Sequence, residues 1–252
     1  MLKLDFAKKI VRESGQFLRE NLDVLPEISD KGSFDNLVTN FDQQVQEKIV
    51  AQIRSNFPED HIIAEENGFD SVKFDKVHNF WILDPIDGTI NFVAQQENFA
   101  IMLAYYEAGN GKFGVIYDVV KDELYWSDDK NAYCNDEILT VKPQALKLSL
   151  LSINSYLYRS NSFGLADLAK KTLGVRMMGS AGISFINIFK GNLAGYFSNL
   201  QPWDVAAGSI IAEKLGFITV KFDGNSPSLT NQELLYCVHL SNFDEISQSL
   251  QK

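Results

Sequence analysis

Cysteine is nearly absent from this chain: only Cys134 and Cys237 occur, far apart and in no metal-ligand spacing. That excludes a disulfide framework and fits a reducing compartment. Histidine is scarce too: His61, His78 and His239 stand alone and are each expected to be structural, and both cysteines are expected to be buried and inert. Basic residues are outnumbered, 23 Lys and Arg against 33 Asp and Glu, for a net charge of −10. A broad nucleic-acid surface needs clustered cations to replace counterions, so none is expected. No stretch approaches the roughly 18 consecutive apolar residues of a membrane span. The opening segment MLKLDFAKKIVRESGQFLREN is charged throughout and lacks the apolar centre of a signal peptide. Repeats, low-complexity tracts and linkers are also missing. The expectation is a cytoplasmic protein that binds neither membrane nor nucleic acid.

What is present is enough for a sizeable core: 252 residues, 45% of them hydrophobic. Leu2, Phe6, Ile10, Phe17, Leu18 and Leu22 follow the helical period near the start. Phe41, Val45, Ile49, Ile53 and Phe57 step by four until Pro58, with Thr39 as N-cap and Asp42 placed for a capping box. Short apolar stretches then predict strands at residues 61–64, 79–83, 99–106, 112–117 and 123–126. After a break near Pro143, the pattern predicts strands at 148–155, 193–197 and 216–222, and helices at 163–173, 184–189 and 205–215. Gly216 closes the last of these helices. We expect an α+β half over residues 1–145 and an α/β half over 146–252, sharing one cleft.

The chemistry concentrates in WILDPIDGT, residues 81–89. A buried strand ends there, and Asp84 and Asp87 follow on an expected turn shaped by Pro85 and Gly88. Both carboxylates and the Ile86 carbonyl can be aimed at one point, a hard-oxygen set suited to Mg²⁺. Gly88 and Thr89 then open a helix whose first amides can receive a phosphate. The same residues also make a good β-turn that needs no metal. Glu65 and Glu66 follow a strand, where a solvated loop is the plain reading. Asp204 stands before an apolar helix as an ordinary N-cap would, and Asp42 suits the helix dipole. Four further acids at strand ends and helix starts around DPIDGT are harder to explain separately.

Four segments together resemble the inositol monophosphatase family of Mg²⁺-dependent, lithium-sensitive phosphatases. They are DNLVTNFD (35–42), AEEN (64–67), WILDPIDGTINFV (81–93) and WDVAAGSIIAEKLG (203–216), in the family's order through most of the chain. The resemblance implies a layered αβαβα sandwich, a homodimer, and two or three Mg²⁺ ions. Their ligands would be Glu65, Asp84, the Ile86 carbonyl, Asp87 and Asp204. It further implies that Thr89, with Asp42 and Glu65, orients and deprotonates the attacking water. Gly88 and Thr89 amides would hold the phosphate. The substrate pocket would draw on Asp87 and on Gly179, Ser180 and Ala181, since MGSA (178–181) resembles the segment that lines it.

One departure bears on substrate. The family's inositol-binding enzymes place a glutamate shortly before the WD motif, whereas residues 196–202 here contain no acid. Ser198 stands nearest that position, with Phe197 as the alternative. The expected activity is hydrolysis of small phosphate monoesters with broad specificity. Runner-up readings are a nucleotide-type phosphatase acting on 3′-phosphoadenosine compounds or NADP, a sugar bisphosphatase, and a regulatory binding protein on the same fold.

Overall fold

The computed structural model describes residues 2–30, 37–66 and 73–250. Asp35, Asn36 and Asn67 of the motif segments lie outside the described residues. Helix α1 (Lys3–Glu20) buries Phe6, Ile10, Val11 and Leu18, close to the expected face. A short antiparallel pair, β1 (Ile28–Asp30) and β2 (Leu37–Thr39), leads into α2 (Asn40–Asn56). Thr39 is the N-cap: its hydroxyl accepts from the amides of Phe41 and Asp42, while Asp42 accepts from the Thr39 amide at 2.7 Å. That capping box satisfies first-turn amides and also pins the Asp42 carboxylate.

Seven strands follow in sheet order: β3 (His61–Ala64), β4 (Asn79–Asp87), β5 (Ala100–Glu107), β6 (Asn110–Asp118), β7 (Glu123–Ser127), β8 (Ala132–Cys134) and β9 (Glu137–Ile138). Only β3 and β4 run parallel. Helix α3 (Thr89–Gln95) joins β4 to β5. Alternate side chains explain why these strands read as unbroken apolar runs. Trp81, Leu83, Ile101, Leu103 and Val115 pack against α1 and α2. Phe80, Ile82, Met102, Ala104 and Ile116 fill a second core on the opposite face.

The remaining elements are β10 (Leu150–Ile153), α4 (Ser155–Arg159), α5 (Leu165–Ala169), β11 (Gly174–Arg176), α6 (Ala181–Phe189), β12 (Gly195–Leu200), α7 (Pro202–Lys214), β13 (Phe217–Lys221), β14 (Glu233–His239) and α8 (Leu240–Ser249). The second sheet has the order β11-β10-β12-β14-β13. Helices α6 and α7 lie between the two sheets and are apolar on both sides, with Ile183, Phe185, Ile186, Ala206, Ile210 and Ile211 in the shared core. Leu157, Leu165, Leu168 and Ile246 from α4, α5 and α8 cover the outer face of the second sheet. The result is the expected αβαβα sandwich.

Three expectations need correction. The helix expected at 163–173 shrinks to α5, because Phe163 (φ 56°) and Gly164 (φ 71°) take left-handed backbone before it, and β11 follows. Helix α7 begins at Pro202 rather than 205; proline is tolerated at a first helical position because that amide has no intrahelical partner. Cys237 is buried as expected but Cys134 is only half-buried; both thiols are free and raised in pKa by burial.

The packing of β6 against α7 depends on Gly114. A Cβ there would lie 2.3 Å from the carbonyl oxygen of Ala207, a backbone atom that cannot rotate away. Gly114→Ala should therefore cost about 1–3 kcal/mol through overpacking, read as a lower urea midpoint. An unchanged midpoint would show that this contact relaxes freely.

Candidate active site

The site begins where β4 stops being regular. Asp84 pairs with Met102 and Asp87 with Ala100, so four residues of β4 oppose three of β5. In an even strand, side chains three apart point to opposite faces. The extra residue of a bulge restores the phase, so both aspartates face the layer of α6 and α7. The expected turn is thus a bulged strand. Pro85 fits because it donates no ladder hydrogen bond where pairing is already interrupted. Gly88 (φ 89°) then turns the chain into α3 in left-handed backbone.

Asp204 enters from the other side. It is not the N-cap of α7 but its third residue, and it accepts from the amide of Gln201, the N-cap, at 2.8 Å. One carboxylate oxygen each of Asp84, Asp87 and Asp204 lie within 4.8 Å of one another. Glu65 follows β3, with its amide donating to the Leu83 carbonyl at 3.2 Å. Its negative charge acts on Asp84, Asp87, Asp204 and Asp42 alike. Glu66 is buried rather than solvated, its amide donating to the Gln46 side chain at 2.9 Å.

Burial without positive charge pushes these carboxyls up. Asp84 is raised well above its ordinary value by burial, then by the charges of Glu65, Asp87 and Asp204. Asp204 is raised likewise by burial and by Asp87. Asp87 rises to about 6 through burial, although Ser180, Ala181 and Gly182 donate to it. Oδ1 of Asp84 is buried with no hydrogen-bond partner among the described residues. An unsatisfied carboxylate oxygen among converging acids fits a hard divalent cation, whose ligands are anionic oxygens.

Beside this cluster, the Thr89 hydroxyl lies 3.1 Å from Asp42 Oδ1 and 3.1 Å from the Ile86 carbonyl oxygen. Asp42 is raised to about 6, first by burial. On the other side, Asp87 accepts from the Ser180 hydroxyl and from the amides of Ala181 (2.9 Å) and Gly182 (2.7 Å), at the start of α6. Asp87, Ser180 and Ala181 border a cavity of about 340 Å³ that also includes Asp204, Gly179 and Ser198. Ser198 lines it, whereas Phe197 is fully buried in the outer core.

The description that matches this chain, over residues 3–252, is "Inositol monophosphatase family". The chain belongs to that family. It is 34% identical to the inositol-1-monophosphatase of Bacillus subtilis, over 96% of this chain and 95% of that one. It is 33% identical to the fructose-1,6-bisphosphatase/inositol-1-monophosphatase of Thermotoga maritima, over 94% and 91%. Among solved structures, an IMPase/NADP phosphatase complexed with Mg²⁺ and phosphate superposes with a TM-score of 0.87 at 25% identity, covering 99% of this chain and 98% of that one. As an inositol monophosphatase family member, the chain is a phosphoric monoester hydrolase of an Mg²⁺-dependent type. No helix among the described residues is long and apolar enough to cross a membrane.

Every residue expected in this family's site lies in the described part. Asp84, Asp87 and Asp204 converge; Glu65, Asp42, Ile86, Gly88 and Thr89 surround them; Gly179, Ser180, Ala181 and Ser198 border the cavity. Sequence reasoning missed the hydroxyls beneath the cavity. Ser152 lies 3.2 Å from Ser184, and the buried Tyr196 lines the same cavity beside them and Ser198. The available signal was a serine inside otherwise apolar strands, in LLSI and GYFSNL. The three histidines are structural as expected; His239, for example, caps α8.

A pH dependence follows for metal-free protein. The folded chain holds protons on Asp42 and Asp87 up to about pH 6, whereas the unfolded chain releases them near 3.8. The folded state therefore binds more protons across that window, and these groups oppose folding as pH rises through it. Asp84 and Asp204, also raised well above their ordinary value, add to the loss. Without Mg²⁺, the melting temperature should be higher at pH 5.5 than at 7.5, and Asp84→Asn should raise it at 7.5. A lower melting temperature for Asp84→Asn would contradict the electrostatic account.

Proposed function

We propose that the chain hydrolyses small phosphate monoesters at the Asp84–Asp87–Asp204 cluster, accepting inositol phosphate, glycerol phosphate and nucleotide 2′-phosphates without strong preference. The observation that carries this reading is the unpartnered, buried Oδ1 of Asp84 amid carboxylates, beside Thr89 and Asp42. Glu65, Asp84, the Ile86 carbonyl, Asp87 and Asp204 would hold two or three Mg²⁺ ions. Bound there, Mg²⁺ supplies Lewis acidity and the positive charge that lets a phosphate dianion enter an acidic cleft.

The protein groups do the rest by position. Asp42 Oδ2 is committed to Thr39, which leaves Oδ1 for the Thr89 hydroxyl. When Thr89 donates to Asp42, its own oxygen is free to accept a proton from an attacking water. Asp42, raised to about 6, can take up that proton near neutral pH, with Glu65 orienting the water. The amides of Gly88 and Thr89 hold the phosphate at the start of α3. No protein nucleophile is required, because phosphoryl transfer needs positioning and charge stabilisation above all.

Ser198 and its neighbouring hydroxyls put neutral donors where an acid would bind a polyol strongly. Broad selection follows, and the NADP phosphatase and fructose-bisphosphatase relatives are in keeping with it. We further propose that residues 1–145 and 146–252 form two lobes around the cleft, and that the protein is a lithium-sensitive, cytoplasmic homodimer; these rest on the resemblance and on the free cysteines.

Phosphate release with and without Mg²⁺ tests the proposal. Wild-type kcat/KM for the three substrate types should agree within about tenfold, and activity should vanish without divalent cation. Ser198→Glu should raise preference for inositol phosphate by roughly ten- to a hundredfold, the range of a charged hydrogen bond. A wild-type enzyme already favouring inositol phosphate a hundredfold would overturn the role of Ser198. Thr89→Ala should lower kcat far more than it raises KM, and Thr89→Ser should recover a large share. Equal loss in both variants would point to packing instead.

A further inference from the structure

Asn91 lies in the DPIDGTINFV segment, yet no role described so far uses it. It sits in the first turn of α3, two residues after Thr89, and only 6% of it is exposed. Its amide nitrogen donates both hydrogens to main-chain carbonyls: to Asn98 at 2.9 Å and to Met178 at 2.9 Å. The first bond closes the chain after α3. The second reaches across to the segment that leads into α6 and forms one wall of the cavity.

Two glycines show how closely that wall rests on α3. Gly179 has φ +70°, and a Cβ on it would lie 2.9 Å from Asn91 Oδ1 and 3.2 Å from Nδ2. A Cβ on Gly88 would meet the Ser180 Cβ at 3.0 Å and the Gly179 carbonyl oxygen at 3.5 Å. Elsewhere in the wall Met178 packs against the core and Ser180 donates to Asp87, whereas Met177, beside it, is 51% exposed. Asn91 thus links the turn proposed to hold phosphate to the wall proposed to face the leaving group.

We propose that Asn91 is a positioning residue that sets the leaving-group wall, Met178 to Ser180, at a fixed distance from the phosphate turn. Deleting its two donors leaves two part-buried carbonyls unpaired, a cost the chain relieves by moving whichever segment is freer. That segment is the Met178–Gly179 part of the wall, next to exposed Met177, because Gly88 and Thr89 are held by β4 and α3. A displaced wall weakens contacts to the sugar or polyol and leaves the phosphate contacts in place.

This inference rests on the proposed phosphatase site, and the test separates the two. Asn91→Ala and the isosteric Asn91→Asp, which keeps shape but loses both donors, are compared with wild type. kcat/KM is measured for inositol 1-phosphate and for adenosine 2′-monophosphate, together with the inhibition constant for inorganic phosphate, all with Mg²⁺. Both variants should lose at least fivefold in kcat/KM on both esters, while the phosphate inhibition constant stays within about twofold of wild type. A smaller loss, or a phosphate constant that rises in step with it, overturns the role of Asn91. Failure of both variants to fold overturns it too, since the link would then be a general support. Absence of hydrolysis by the wild type would sink the proposed function itself.

Discussion

The whole arrangement turns on negative charges that the fold forces together. Two unit charges 4.8 Å apart repel by about 3–4 kcal/mol at an effective dielectric near 20. Such a term is a large part of the roughly 5–15 kcal/mol that stabilises a typical domain. The chain offsets it unevenly. Asp42 is held by Thr39, Asp204 by the Gln201 amide, and Asp87 by three donors at the start of α6. Oδ1 of Asp84 has no such donor among the described residues. Charge left uncompensated by protein invites compensation by a cation, and a cation-loaded cleft is what a phosphate dianion can enter.

Two features of the fold put the acids there. The bulge in β4 turns Asp84 and Asp87 toward the same side, and the helical layer between the sheets meets them with Asp204 and the α6 amides. Because α6 and α7 pack on both sheets, the position of Asp204 is set by the same core that carries stability. The site is therefore built from elements remote in sequence and rigid in packing. Catalytic geometry of this kind benefits from groups positioned before substrate arrives.

Much of this was legible in the chain. The four-residue steps from Phe41 to Phe57 defined α2, and Thr39 with Asp42 announced its cap. The order of the motifs led to the expectation that the acids share one site, and Asp84, Asp87 and Asp204 do converge; the sandwich followed from the same resemblance. DPIDGT was misread as a turn because Pro and Gly mark both turns and bulges; only the pairing with β5 separates the two. The helix expected at 163–173 failed where two left-handed residues broke it, which apolar spacing does not register. The Tyr196 and Ser184 hydroxyls and the Asn91 bridge escaped notice because their partners are fixed by tertiary packing. Asn91 and Met178, for instance, are 87 positions apart.

If the cluster is a cation site held in an electrostatically strained state, binding Mg²⁺ must displace protons. Calorimetric titration of Mg²⁺ into the metal-free protein, repeated in buffers of different ionisation enthalpy, measures that release directly. Metal ligands must be deprotonated, so Asp87, raised to about 6, and Asp84 and Asp204, raised well above their ordinary value, give up protons when the ion binds. The account predicts clear proton release at pH 6, shrinking as the pH is raised. Binding without proton release at pH 6, or no binding at all, would contradict it.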